Sequence, residues 1–354
     1  MNRLLRLLIV CIALPVHAAN VTLTQGTVVG SVIDNVHHFR GIPYAKPPVA
    51  DLRWQPPLPV APSKALHFAD TFAPACLQNP VYLKGAPTSE DCLNLNVWSP
   101  DLDPESQLPV MVWIHGGGFR VGSNIINGEV FAELGVVMVS INYRLGSLGF
   151  FAHEALAQPV ANFGLLDMEL ALAWVQENIG QFGGDRNRVT IFGVSAGGQA
   201  VNLLMSSPNA RDMFHGAIAQ SGYSTWALPR TSNAPVPAPL NMNRESAASA
   251  EQMAVDLVDR ITETPQSAHM MRSLDGMSLV NAVVGFQLPI VDGTSLPEEP
   301  GLLFLRGEQN PVPYISGGNS FEGSVQRASG ISDDEYRKMI GDHLGSARTL
   351  YSDD

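Results

Sequence analysis

The chain has 354 residues, of which 45% are hydrophobic and 15% charged, and a formal net charge of −12. That length accommodates one large α/β domain or two smaller ones. The acidic balance disfavours nucleic-acid backbones and gives no attraction to anionic lipids, so neither is expected as a partner.

The first residues read as an export signal. Arg3 and Arg6 give a positive start, residues 7–16 a short apolar core, and Val16-His17-Ala18 a cleavage site after Ala18. The apolar run is shorter than the roughly 20 residues a membrane-spanning helix needs. No span is expected once 1–18 are removed, and an uncleaved anchor is the alternative. The expected location is secreted or periplasmic, with one domain over 19–354. Cys11 leaves with the signal, so Cys76 and Cys92 remain as an even pair in an oxidising compartment. A disulfide is the default there, and two free thiols the alternative. No His or Cys lies at ligand spacing around either, so no metal is expected.

Residues 21–33 largely alternate apolar and polar around Gly26 and Gly30 and predict a β-hairpin. Residues 39–57 are rich in Pro and read as irregular. Residues 93–98 alternate and predict a strand. The apolar runs 110–114 and 136–141 predict buried strands. Leu166, Leu170, Ala173 and Trp174 fall at helical spacing and predict an amphipathic helix ending near Gly183-Gly184. A short strand at 189–192, a helix over 196–205 and a strand at 312–315 follow. Residues 226–247, dense in Pro, Asn and Ser, read as a long surface excursion, with a domain linker as the alternative. Strands alternating with helices imply an α/β sheet that is mostly parallel in its middle.

Two glycine-rich segments carry chemistry. Gly193-Val194-Ser195-Ala196-Gly197 matches G-x-S-x-G between a predicted strand and a predicted helix. A turn this tight needs small residues on both sides of the serine and lifts its hydroxyl above the sheet edge. The helix N-terminus behind it places N–H groups and partial positive charge where an oxyanion would form. The alternative is an ordinary strand-to-helix turn. His115-Gly116-Gly117-Gly118-Phe119 follows the strand at 110–114 and can turn bare backbone N–H groups toward the same oxyanion. A phosphate-binding loop is the rival, but no Gly-Lys-Ser/Thr follows.

With these motifs the sequence resembles the type-B carboxylesterase family, which includes cholinesterases and para-nitrobenzyl esterases. The matching stretches are Phe39-Arg40-Gly41-Ile42-Pro43-Tyr44-Ala45, Leu52-Arg53-Trp54, Ser89-Glu90-Asp91-Cys92-Leu93-Asn94-Leu95-Asn96-Val97-Trp98, Asn142-Tyr143-Arg144, Phe182-Gly183-Gly184-Asp185, the serine turn and Gln220-Ser221-Gly222. The resemblance implies an α/β-hydrolase fold, with a central mostly parallel sheet and helices on both faces. It implies cleavage of a small carboxylic ester through an acyl-enzyme, without a cofactor. Ser195 would be the nucleophile, and Gly117, Gly118 and Ala196 the oxyanion donors. Cys76 and Cys92 would form the family's first disulfide, with an ion pair between Arg53 and Glu90 beside it. Glu322, in Gly318-Asn319-Ser320-Phe321-Glu322-Gly323-Ser324, would be the triad acid.

The triad order Ser, acid, His requires a histidine beyond Glu322. The sequence given stops at Asp354 and offers only His343, in residues 334–344, which read as a polar helix bearing a surface histidine. The expectation is therefore a domain incomplete at its C-terminus, with the triad histidine absent. Val194 stands where the family usually has an acidic residue, and Asn94 where an aromatic or Thr is usual. Residues 77–91 hold no Trp, so a quaternary-ammonium site on that loop is not supported. Trp226, Met270 and Met271 could line a pocket, though core packing is the better reading of each. An inactive remnant and a non-catalytic cholinesterase-like binding protein are the competing functions.

Overall fold

The computed structural model describes residues 17–319 and 341, apart from 84, 223, 225–227, 235–247, 265, 285 and 286. The chain divides into a unit of residues 1–316 and one of residues 317–354. The second falls almost wholly outside the described residues, so the architecture below is that of the first.

The alternating N-terminal segment forms an antiparallel pair, β1 (His17–Leu23) and β2 (Gly26–Ile33), continued by β3 (Val36–Pro43). Short strands follow: β4 (Leu66–Phe68), β5 (Ala75–Cys76) and β6 (Thr88–Ser89). The apolar runs give β7 (Asn94–Ser99), β8 (Leu108–Ile114), β9 (Val137–Ile141), β10 (Gly184–Val194) and β11 (Gly216–Gln220), and β12 (Tyr314–Gly317) follows. Ten strands make one sheet in the order β1-β2-β3-β7-β9-β8-β10-β11-β12, with β4 beside β2. The sheet is mixed. Pairing is parallel from β9 through β8 and β10 to β11, and antiparallel from β1 to β9. The parallel half is the expected α/β core, and the hairpins add an antiparallel wing to it.

The helices are α1 (Glu129–Ala132), α2 (Gly146–Gly149), α3 (Phe163–Asn178), α4 (Ala196–Ser206), α5 (Ala250–Asp259), α6 (Ala268–Ser273), α7 (Gly276–Asn281) and α8 (Pro300–Arg306). Side-chain alternation along the central strands sends them to two faces. Val110, Val112 and Ile114 join the main core with residues of α3 and α4. Met111 and Trp113 join a smaller cluster with Phe131 and Ala132 at α1. Met270 and Met271 pack in a third cluster with Trp54, so their role there is core packing; Trp226 lies outside the described residues.

α3 corrects the predicted stripe. Of the stripe's four residues Trp174 is buried, but Leu166, Leu170 and Ala173 are only half-buried, while Leu165, Met168, Ala171, Leu172 and Val175 are fully inside. The segment is apolar around most of its circumference, so spacing could not select the inner face. Two acids of α3 are also buried. Asp167 pairs with Arg144 at 2.7 Å, and Glu169 accepts from the Ser207 hydroxyl at 2.6 Å. The helix runs on through a 3-10 turn, Ile179–Phe182, and stops at Gly183 in a left-handed conformation, as expected.

Candidate active site

β8 and β10 are parallel neighbours, with Ile114 in register with Gly193. The two glycine-rich segments therefore leave the same sheet edge side by side. Ser195 follows β10 directly at φ +58° and ψ −124°, a region few non-glycine residues occupy. The turn is held from both sides. Ser195 N–H donates to Gln220 O at 2.8 Å, and Ser195 O accepts from Gln199 N–H at 2.8 Å, opening α4. Ser195 is exposed and Ala196 buried behind it.

Contact distances explain the glycines. A Cβ on Gly197 would lie 2.2 Å from Ile114 O, and one on Gly116 would lie 2.4 Å from Val194 O and 3.4 Å from Ser195 Cβ. No side chain fits at either position without moving backbone. The glycine loop thus lies directly against the serine turn. Gly117 is exposed and Gly118 half-buried, and among the described residues their N–H groups donate no hydrogen bond. Ala196 is the first residue of α4, where N–H groups have no partner within the helix. Among the described residues, the N–H groups of Gly117 and Gly118 thus have no hydrogen-bond partner, and that of Ala196 has none within its helix.

The loop is braced by aromatic rings beneath it. The Tyr143 hydroxyl donates to His115 O at 2.7 Å, and burial pushes its phenol well up, keeping the donor protonated. The His115 ring stacks on Tyr143 with centroids 4.4 Å apart, and His115 Nδ1 lies 2.9 Å from Gly116 O. A carbonyl only accepts, so Nδ1 carries the proton. Burial lowers the His115 pKa to about 4 and keeps the ring neutral. A base depressed from 6.5 binds fewer protons folded than unfolded. Its stabilising contribution is complete above pH 6.5 and is lost as the pH falls toward 4. Over that window the unfolding free energy should drop by about 3 kcal/mol from this ring. His115→Gln should flatten the slope in urea titrations at pH 7.5, 5.5 and 4.5; an unchanged slope would assign the acid sensitivity elsewhere.

Cys76 and Cys92 form a disulfide, with Cα atoms 4.8 Å apart. Arg53 and Glu90 pair beside it, with Nε to Oε2 at 2.8 Å and Nη2 to Oε1 at 2.5 Å. For a bond joining residues 16 apart, Cys76→Ser with Cys92→Ser should cost about 3 kcal/mol of unfolding free energy. Urea midpoints of the two forms measure it, and equal midpoints would show that the bridge adds no stability.

Glu322 and His343 lie outside the described residues. No described histidine hydrogen-bonds Ser195, and no described group of three or more His, Cys, Asp or Glu is placed to hold a metal. No described helix is long and apolar enough to cross a membrane. Two residues escaped sequence reasoning. Tyr143 stood out only as part of Asn-Tyr-Arg, and Gln78, which binds the far end of the glycine loop, carried no signal beyond its place near Cys76.

Comparison with known proteins shows the family. The model described as the carboxylesterase family matches residues 17–348. Fumonisin B1 esterase of Sphingopyxis macrogoltabida is 39% identical over 336 residues, covering 91% of this chain and 60% of that protein. Para-nitrobenzyl esterase of Bacillus subtilis is 36% identical over 323 residues, covering 86% of this chain and 63% of that protein. A Geobacillus stearothermophilus carboxylesterase structure superposes with a TM-score of 0.79 at 30% identity, covering 94% of this chain and 70% of that one. The chain thus spans about 60% of the length of these two curated relatives.

Proposed function

The chain belongs to the carboxylesterase family, and we propose from that premise that it hydrolyses small carboxylic esters through an acyl-enzyme on Ser195. The observation that carries the proposal is the packing of Gly116 against the Val194–Ser195 turn, which supports a glycine loop facing an exposed serine. Ser195 Oγ attacks the ester carbonyl, and a base takes its proton. The carbonyl oxygen gains negative charge and is met by the N–H groups of Gly117, Gly118 and Ala196. The alcohol leaves with the proton, and water releases the acid from Ser195 in a second passage through the same donors.

Glu322 is proposed as the acid that orients the base, on chain order and on the resemblance of its segment. The base is proposed to be a histidine other than His115, whose Nδ1 is committed to Gly116 O and whose ring is buried. The exposed serine and open donors favour the enzyme over a binding scaffold, which needs neither. An exported location, secreted or periplasmic, is proposed from residues 1–18 and accords with the Cys76–Cys92 bridge. Turnover of para-nitrophenyl butyrate by a form of the protein that carries its triad histidine, and by Ser195→Ala in that form, tests the proposal.

A further inference from the structure

Gln78 sits in the loop closed by Cys76–Cys92 and is fully buried. Its amide is completely used on backbone. Nε2 donates to Cys76 O at 2.9 Å and to Gly122 O at 2.7 Å, while Oε1 accepts from Gly122 N–H at 2.7 Å. The N–H of Gly122 fixes which end of the amide is oxygen, so the orientation has no alternative. One side chain thus holds both polar backbone groups of a residue 44 positions away.

Gly122 is the far end of the glycine loop. A Cβ there would lie 2.3 Å from His115 Nδ1 and 2.5 Å from Gly116 O, so its backbone packs on the bond between those two atoms. That bond matters because the Gly116 carbonyl and the Gly117 N–H belong to one planar trans peptide and point in opposite directions. Fixing the Gly116 oxygen therefore aims the Gly117 donor. Tyr143 holds the preceding peptide through His115 O. From the other side, the amide of Gln78 holds Gly122 over the His115–Gly116 contact.

The geometry points to Gln78 as a positioning residue for ester hydrolysis, aiming the Gly117 N–H at the developing oxyanion through Gly122 and the His115–Gly116 hydrogen bond. This rests on the ester-hydrolase reading above. The donor is engaged most strongly when the carbonyl oxygen becomes charged, so loosening it acts on kcat and leaves KM nearly unchanged. A role confined to folding would instead lower the amount of native protein and leave the kcat of what remains intact.

The experiment compares Gln78→Met and Gln78→Glu with the otherwise unaltered protein in a form that carries its triad histidine, on para-nitrophenyl butyrate, alongside hydrogen exchange over residues 115–122. Met keeps the length of the side chain and removes all three hydrogen bonds. Glu keeps the acceptor for Gly122 N–H and loses both donated bonds. Gln78→Met should lower kcat per folded molecule about tenfold or more, with KM within about twofold. The amides of Arg120, Val121 and Gly122 should exchange at least about tenfold faster, while β8 and β10 keep their protection. Gln78→Glu should fall between, and it carries the test alone if Gln78→Met does not fold. Unchanged kcat or unchanged loop exchange overturns the inference, as does a rise in KM at constant kcat. Failure of the parent reading looks different: the form that carries its triad histidine and is otherwise unaltered would itself lack Ser195-dependent turnover, and the inference would fall with it.

Discussion

In a form of the protein that carries its triad histidine, Ser195→Ala should lower para-nitrophenyl butyrate turnover by about a thousandfold or more, to near the rate of the oxyanion donors acting alone. The size follows from what is removed. The substitution deletes the atom to which the acyl group bonds, so no acyl-enzyme forms and only water can attack. The fold should be untouched. Alanine and serine share the Cβ that makes φ +58° costly, and Ser195 is held by its backbone N–H and carbonyl, not by its hydroxyl. Matching urea unfolding curves alongside the lost rate would therefore assign the loss to chemistry. A variant that keeps more than about a tenth of the rate would place the nucleophile elsewhere and end the acyl-enzyme reading.

That expectation draws on the part of the molecule that was legible in the sequence. The serine turn and the glycine loop are local devices: an apolar run names the strand, and the glycines after it mark where backbone must approach backbone. Gly116 and Gly197 prove to be such contacts. The α/β core was legible for the same reason. What was hidden depends on pairing across distance. Gln78 reaches Gly122 across 44 residues and leaves no periodic trace. In α3 three of the four expected stripe residues, Leu166, Leu170 and Ala173, are only half-buried and Trp174 alone is inside, because Leu165, Met168 and Leu172 are equally apolar and the sheet chose among them. In the antiparallel wing β1, β2 and β7 were legible as strands, but β3 runs into residues 39–43, which read as irregular from the prolines that follow, and the wing's place beside β9 was hidden, since a strand's sequence does not name its neighbour.

The same distance problem concealed a buried ion pair, Arg144 with Asp167. Arg144 follows the tyrosine that braces the glycine loop, and its partner Asp167 lies on α3 with no exposed surface. Asp167 accepts from Arg144 N–H at 3.0 Å, Nε at 2.8 Å and Nη2 at 2.7 Å. Arg144 Nη1 donates onward to Gln55 O at 2.9 Å, and the guanidinium lies 5.4 Å from the centre of the Phe163 ring. One side chain thereby ties the segment after β9 to the first turns of α3 and to the irregular segment after Trp54.

Arg144→Met should therefore destabilise the protein by about 3–5 kcal/mol, because it strands a carboxylate in the core after removing two of its three donors. Total stabilities of domains are about 5–15 kcal/mol, so much of the variant should be insoluble or unfolded at 37 °C. The loss comes from an unpaired charge more than from a missing attraction, and the second substitution separates the two. Arg144→Met with Asp167→Leu removes both charges at similar volume and should recover most of the stability, since a buried pair is often worth little more than well-packed apolar groups. Urea midpoints of the two single variants and the double variant give the coupling directly. If Arg144→Met alone unfolds within about 1 kcal/mol of the unaltered protein, then Asp167 finds water or another donor when its partner leaves, and the arginine acts as packing against Phe163, not as a counter-charge.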